Sequence, residues 1–390
     1  MRWVPPLRPR ARLAFLLDLT GALLFGLFSG MVVPFLGVTA RRMGASPLLV
    51  SLVVAGPAVG LLLTAYWSVA IAGRNPVPYL VWPGVLARSL FLLTSAVTHP
   101  VAFVILTLAY HVLNGVTSPA YAAAVQLLFP QEYRGTLLGL ARTGLSCASI
   151  LGSLLAGPFL ERFGPGAVFP VAALFGVAGA LAYSRIRPPR LLTPPARPSL
   201  GEGWRAAWAD GQFRWMLVAT FAFGVGGWTA APALPLLLVD VLHAGHTQVG
   251  VLAAASNAAS VVGFFLWGRT IDRSSGLATL RRALMISPLT PLLYALVPSA
   301  WAALVPAAAD GFLIAAVELG WMTAVMELAP PHLVVHYTGA YTSLIGVRGL
   351  IAPLLAGALL EAVGPRTVLV VAAGWMTTAG VLAWRRLGPR

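Results

Sequence analysis

The sequence predicts an all-α membrane protein, with about twelve transmembrane helices in two pseudo-symmetric bundles of six. Three observations carry that expectation: apolar runs of roughly 20 residues along the whole chain, arginines sorted to one side of those runs, and an internal repeat displaced by about 200 residues. Of the 390 residues, 58% are hydrophobic and only 9% charged, and the mean hydropathy is +0.85. Such apolar surface exceeds what a water-soluble core can hide, so lipid is the solvent. At about 1.5 Å per residue each run crosses a hydrocarbon layer of about 30 Å. A closed barrel would instead need alternating segments of about 10 residues, a pattern this sequence lacks.

The first span is placed at 13–38. Basic residues precede it as in a signal peptide, yet the run is too long for a signal core and offers no small-x-small cleavage site. Spans at 46–72, 78–97, 101–129, 136–160 and 167–184 complete a first bundle, residues 1–184. Residues 185–213 hold Pro188, Pro189, Pro194, Pro195 and Pro198 among arginines. That composition cannot continue a helix and marks a cytoplasmic linker. Within it, Trp204, Ala207 and Trp208 suit a short interfacial helix with its indoles at headgroup depth. Spans at 214–240, 247–268, 282–298, 300–328, 337–360 and 367–385 make the second bundle, residues 214–390.

A net charge of +15 invites a nucleic-acid reading, which the placement of the charges removes. Arg2, Arg8, Arg10 and Arg12 precede the first span; Arg185, Arg187, Arg190, Arg197, Arg205 and Arg214 fill the central connection; Arg269, Arg273, Arg281 and Arg282 follow the eighth span; Arg385, Arg386 and Arg390 end the sequence. With an even number of spans all lie on one face, the cytoplasmic face of a cell inner membrane or cytoplasmic membrane, and Arg41, Arg42, Arg162 and Arg366 lie opposite. Every basic residue is arginine and none is lysine, a mark of codon bias. Cys147 is the only cysteine, which excludes an intramolecular disulfide or a thiolate metal cluster.

The repeat decides the architecture. Leu154-Leu155-Ala156-Gly157, Leu160-Glu161 and Gly164-Pro165 return as Leu354-Leu355-Ala356-Gly357, Leu360-Glu361 and Gly364-Pro365. Pro130 matches Pro330, and Gly139 matches Gly339; with a slip of one, Pro34, Gly44 and Ser46 match Pro235, Gly245 and Thr247. Six spans per repeat is even, so both bundles insert in the same orientation about an axis along the membrane normal. Pro34 and Pro235 are positioned to bend the first and seventh spans. Gly56, Gly60, Gly224, Gly226 and Gly227 read as close-packing surfaces.

A family resemblance follows from the loop after the eighth span. Gly268, Asp272-Arg273, Gly276 and Arg281-Arg282 resemble the signature loop of the major facilitator superfamily, one residue longer than the usual spacing. The corresponding stretch of the first bundle, Trp67 to Arg74, keeps an arginine and lacks the aspartate. Arg134-Gly135 is similar to the family's second cytoplasmic turn. The resemblance covers nearly the whole chain. It implies two bundles about a central cavity lined by the fourth and tenth helices, and a gate resting on Gly268, Asp272 and Arg273.

Ionisable groups inside spans cost about 2.5–3.5 kcal/mol each on insertion scales and are therefore candidate sites. Asp310, Glu318 and Trp321 lie near one face of the tenth span; the repeat sets Ser118 and Tyr121 opposite Glu318 and Trp321. His111, Asn114, Ser118 and Tyr121 share a polar face of the fourth span. Glu318 and Asp310 are candidates for proton coupling, against the alternative of structural ion pairs. In the fifth span Arg142, Ser146, Ser149 and Ser153 form a stripe expected to face the cavity. Arg348, on a face with Tyr341, suits a pairing with Glu318 or contact with an anionic substrate. Arg88 reads as structurally paired, Asp18 as a gate or packing residue, and Asn257 and Trp228 as cavity wall.

Transport by alternating access is the expected function, most readily efflux of a small organic molecule in exchange for protons, by a monomer without cofactor. Gly144, Gly152, Gly157 and Pro158 resemble the fifth-helix glycine pattern of the family's antiporters, with altered spacing. Uptake of an anionic metabolite is the alternative. An embedded enzyme would need a nucleophile and base or a metal cluster, and His243 and His246 lack carboxylate or thiolate partners in the sequence. A sensor would need an appended signalling domain. A primary pump would need a nucleotide-binding loop.

Overall fold

The computed structural model describes residues 9–71, 74–130, 132–186, 205, 208–330 and 333–388. Most of the expected linker, with Trp204 and Ala207, lies outside the described residues, as do Gly73, Arg2, Arg8 and Arg390. Among the described residues the secondary structure is helical and holds no strand. In chain order the helices are α1 (Pro9–Val32), α2 (Leu36–Arg42), α3 (Pro47–Ile71), α4 (Val77–Ser89), α5 (Pro100–Leu128), α6 (Arg134–Phe163) and α7 (Pro165–Ala182). They continue as α8 (Gly211–Leu236), α9 (His246–Arg273), α10 (Gly276–Ile286), α11 (Leu289–Leu296), α12 (Leu304–Leu328) and α13 (Val334–Arg386). Among the described residues, 10 helical stretches are long and apolar enough to cross a membrane.

Local chemistry explains where helices break. Pro34 lacks an amide hydrogen, and the chain tightens there into the 3-10 turn Val33–Phe35 before α2 resumes. Its repeat partner Pro235 lies at the end of α8, just before the π-turn Leu237–Val241. Asp210 caps α8 by accepting hydrogen bonds from the Gln212 and Phe213 amides, each at 2.9 Å. Ser275 caps α10 through the Ala278 amide at 3.0 Å. The helix therefore starts ahead of the 282–298 span that hydropathy suggests, and it parts from α11 at Ser287 and Pro288.

The repeat is visible in three dimensions. Gly164 and Gly364 hold φ of +72° and +75°, a backbone region that favours glycine, and each hands over to a proline that opens the following helical segment. In α6 and α13 the same positions face inward: Ala141 and Tyr341, Ala156 and Ala356, Leu160 and Leu360 are buried, while Arg142 and Thr342 are exposed.

Contacts divide the chain into two compact units. The first comprises Met1–Gly44, Val59–Pro195 and Gly245–Ala254; the second comprises Ala45–Ala58, Ala196–Ala244 and Ala255–Arg390. Inside the first, α1 lies directly on α6: a methyl group on Gly152 would sit 2.6 Å from the Leu27 carbonyl oxygen, and Gly30 meets the Ser149 carbonyl just as closely. Small residues permit this approach where lipid supplies no hydrophobic drive between helices. Inside the second, Gly226 of α8 backs onto the Ala372 carbonyl of α13 at 2.7 Å from where a methyl would be. The core there gathers Phe213, Met216 and Leu217 of α8 with Leu280, Leu284, Val325 and Tyr337.

Candidate functional site

Each unit encloses a cavity of its own. The first, of about 320 Å³, lies among α1, α4, α5, α6 and α7 and brings together Asn114, Ser118, Tyr121 and Arg142, four of the residues expected to line a substrate path. Arg88 and Tyr183 complete its polar wall, and Phe25, Leu80 and Leu145 supply apolar surface. Arg142 and Ser118 are exposed at this wall. Behind it sits Asp18, only 2% exposed. Tyr183 Oη donates to Asp18 Oδ1 at 2.8 Å, Tyr121 Oη approaches Oδ2 at 3.4 Å, and Arg142 acts on the same carboxylate through space. A buried carboxylate needs such partners to offset lost hydration.

Arg88, expected to be structurally paired, finds a carbonyl and an aromatic ring as partners. It is 7% exposed, and its Nη1 donates to the Gly84 carbonyl at 2.6 Å. Its guanidinium stands 4.7 Å from the Phe25 ring centre, a cation–π contact, and its Nε has no hydrogen-bond partner among the described residues.

The second cavity, of about 410 Å³, lies among α8, α11, α12 and α13 and brings Trp228, Asp310 and Arg348 together with Tyr294 in a mostly apolar wall. Arg348 is 6% exposed. It donates through Nη1 to the Thr220 carbonyl and pairs with the Tyr341 hydroxyl; its partners among the described residues include no carboxylate. Gly224 passes so close under the guanidinium that any side chain there would overlap it. Gly349 likewise leaves room for Trp228, with a methyl position 3.0 Å from the indole.

Other expected residues lie apart from both cavities. Glu318 is exposed on α12, at the repeat position of Ser118, also exposed. Trp321 stacks on Tyr341 with ring centres 4.4 Å apart and planes at 11°. Ser149 is buried where α6 meets α1, and Ser153 is fully buried, so the lower part of the polar stripe packs against helices. Ser146 and Asn257 are half-buried in α6 and α9. Gly268 has open space beside it, and Asp272 and Arg273 are exposed at the end of α9.

Two further polar sites were not apparent from the sequence. Glu327 at the end of α12 accepts hydrogen bonds from the Gly276 and Leu277 amides, at 2.5 and 3.1 Å, neutralising the start of α10. In the first unit Glu161 accepts from the Thr247 amide at 3.0 Å and hydroxyl at 2.7 Å, while Arg42 Nη1 lies 2.6 and 2.8 Å from the His246 ring nitrogens. Hydropathy signals neither, because both join segments distant in sequence.

Comparison with solved structures gives the fold. A nucleoside transporter, NupG, in mutant form superposes with a TM-score of 0.78 at 12% identity, covering 96% of this chain and 99% of its own. A bacterial homologue of the human lysosomal transporter Spinster, inward-facing and unoccupied, gives 0.71 at 13% identity over 98% of each chain. Its occupied form gives 0.72 at 13%, over 98% of this chain and 97% of that one. No curated protein matches the sequence. The family model described as Major Facilitator Superfamily matches residues 19–347 and, separately, 216–390. With helices, repeat and family match in agreement, the chain belongs to the major facilitator superfamily and is a multi-pass membrane transporter, not an enzyme.

Proposed function

We propose that the protein is a secondary active transporter that moves a small organic molecule across the cytoplasmic membrane by alternating access, outward and in exchange for protons. The observation that carries this reading is Asp310 in the wall of the second cavity, among Phe223, Leu234, Leu313 and Ile314. A carboxylic acid that meets water in one state and apolar wall in another takes up and releases a proton as its surroundings change. Glu318, exposed two turns along the same helix, serves as the second proton-carrying group. Trp321, Ser146, Ser149 and Asn257 then belong to the surfaces that shift as the cavity changes access, with Gly268, Asp272, Arg273 and Asp18 at the gates.

The topology that goes with this has α13 divided at Gly364 and α10 with α11 taken as one further span, so that the stretches number about twelve and both termini are cytoplasmic. Residues 1–184 and 214–390 are the bundles, 185–213 the linker, and the working form is a monomer. Direction is tested with vesicles of both orientations: accumulation in inside-out vesicles driven by an acidic lumen, protons leaving as substrate enters, supports efflux by exchange, and accumulation in right-side-out vesicles driven by an inward proton gradient overturns it.

One observation favours the second reading, uptake of an anionic metabolite. Arg348 is buried beside the second cavity with tyrosine and carbonyl partners. Under that reading Arg142→Ala or Arg348→Ala abolishes anion binding in a protein that still folds, and affinity unchanged in both excludes it.

A further inference from the structure

The first cavity carries more positive than negative charge. Arg142 enters it from α6 and Arg88 from α4, and the carboxylate within reach of Arg142 is Asp18, already engaged by Tyr183 and Tyr121. The partners of the Arg88 guanidinium among the described residues are the Gly84 carbonyl and the Phe25 ring, and they include no carboxylate. Among the described residues two guanidiniums line about 320 Å³ of space and one carboxylate stands behind its wall, a formal excess of one positive charge. A buried guanidinium such as that of Arg88 is costly until a counter-charge with hydrogen-bonding capacity meets it. Arg88 is more than nine-tenths buried, lines the cavity and keeps an Nε with no partner among the described residues.

We propose that this cavity binds the cargo through a single carboxylate, held by Arg142 and Arg88, with Asn114 and Ser118 as neutral hydrogen-bonding groups and Phe25 and Leu145 against the organic body. The inference rests on the transporter reading and adds the substrate class, a small monocarboxylate. Charge selects it: a carboxylate carries one negative charge, whereas a phosphate monoester carries about −1.5 to −2 near neutral pH and would overbalance the site. A planar carboxylate also suits the guanidinium fork.

The test uses the full chain in phosphatidylcholine nanodiscs, with benzoate, benzamide and phenyl phosphate as probes and the thermal unfolding midpoint as readout. Benzoate is expected to raise the midpoint saturably, while isosteric benzamide does not and phenyl phosphate acts more weakly. Arg142→Gln, at an exposed wall position, should weaken the benzoate response at least tenfold. Arg88→Gln should do the same if it folds, whereas Arg162→Gln should leave it intact. Equal responses to benzoate and benzamide, no response to benzoate, or a response unchanged in Arg142→Gln would overturn the proposal. Loss of the response when phosphatidylglycerol replaces phosphatidylcholine would assign the cavity to a lipid headgroup and equally overturn it. Failure here with proton-coupled transport intact rejects only the carboxylate assignment; carboxylate discrimination without coupled flux rejects only the coupling.

Discussion

Tyr183 and Asp18 are joined by a 2.8 Å hydrogen bond that ties α1 to the 3-10 turn that follows α7. Asp18 is almost fully buried, and its other tyrosine contact, Tyr121, is longer at 3.4 Å. Tyr183→Phe should therefore destabilise the protein by about 1.5–3 kcal/mol, the range for hydrogen bonds to charged groups, and Tyr121→Phe by clearly less. Thermal unfolding in detergent measures both. A larger loss from Tyr121→Phe would show that the longer contact is the one that holds Asp18.

Arg348 over Gly224 gives a packing prediction. Gly224→Ala should displace the guanidinium from Thr220 and Tyr341 at a cost of about 1–3 kcal/mol, as overpacked cores show. Because both residues occupy one space, the cost should largely vanish in an Arg348→Ala background. Strict additivity in that double-mutant cycle would mean that Gly224 is required for a reason other than the arginine.

Glu327 spans two amides at the start of α10 from the end of α12. Glu327→Gln keeps the shape and removes the charge that complements the helix terminus, so the loss should be modest, about 1 kcal/mol at this exposed position, and smaller still in high salt. Gly276→Ala should cost more, since Thr323 occupies the place of its side chain. Equal stability of Glu327→Gln and the parent would reduce the contact to a passive one.

Much of the fold was legible in the sequence because hydropathy, glycine-proline turns and the repeat are local signals. Gly164 and Gly364 adopt the same turn, as their shared Gly-Pro spelling suggests. The divided ninth region was not legible from hydropathy alone: the Ser275 cap and the break at Pro288 set its ends. Of the site, spacing along α5 groups Asn114, Ser118 and Tyr121 on one face, and only the tertiary fold adds Arg142 of α6 to the same cavity wall. The stripe from Arg142 to Ser153 divides because Gly30 and Gly152 draw α1 onto its lower half, a partner that periodicity within one helix cannot name. Arg88 and Glu327 acquire their meaning only from tertiary neighbours, Phe25 and Gly84 for one, the α10 amides for the other.

Proton movement tests the central claim most directly. Proteoliposomes loaded with a pH-sensitive dye are screened for substrate-dependent proton flux with the parent protein, Asp310→Asn and Glu318→Gln. The account predicts flux with the parent and its loss in Asp310→Asn or Glu318→Gln, with folding retained. Substrate movement without proton movement, unaffected by either substitution, would contradict it and leave a facilitator or a transporter driven by another ion.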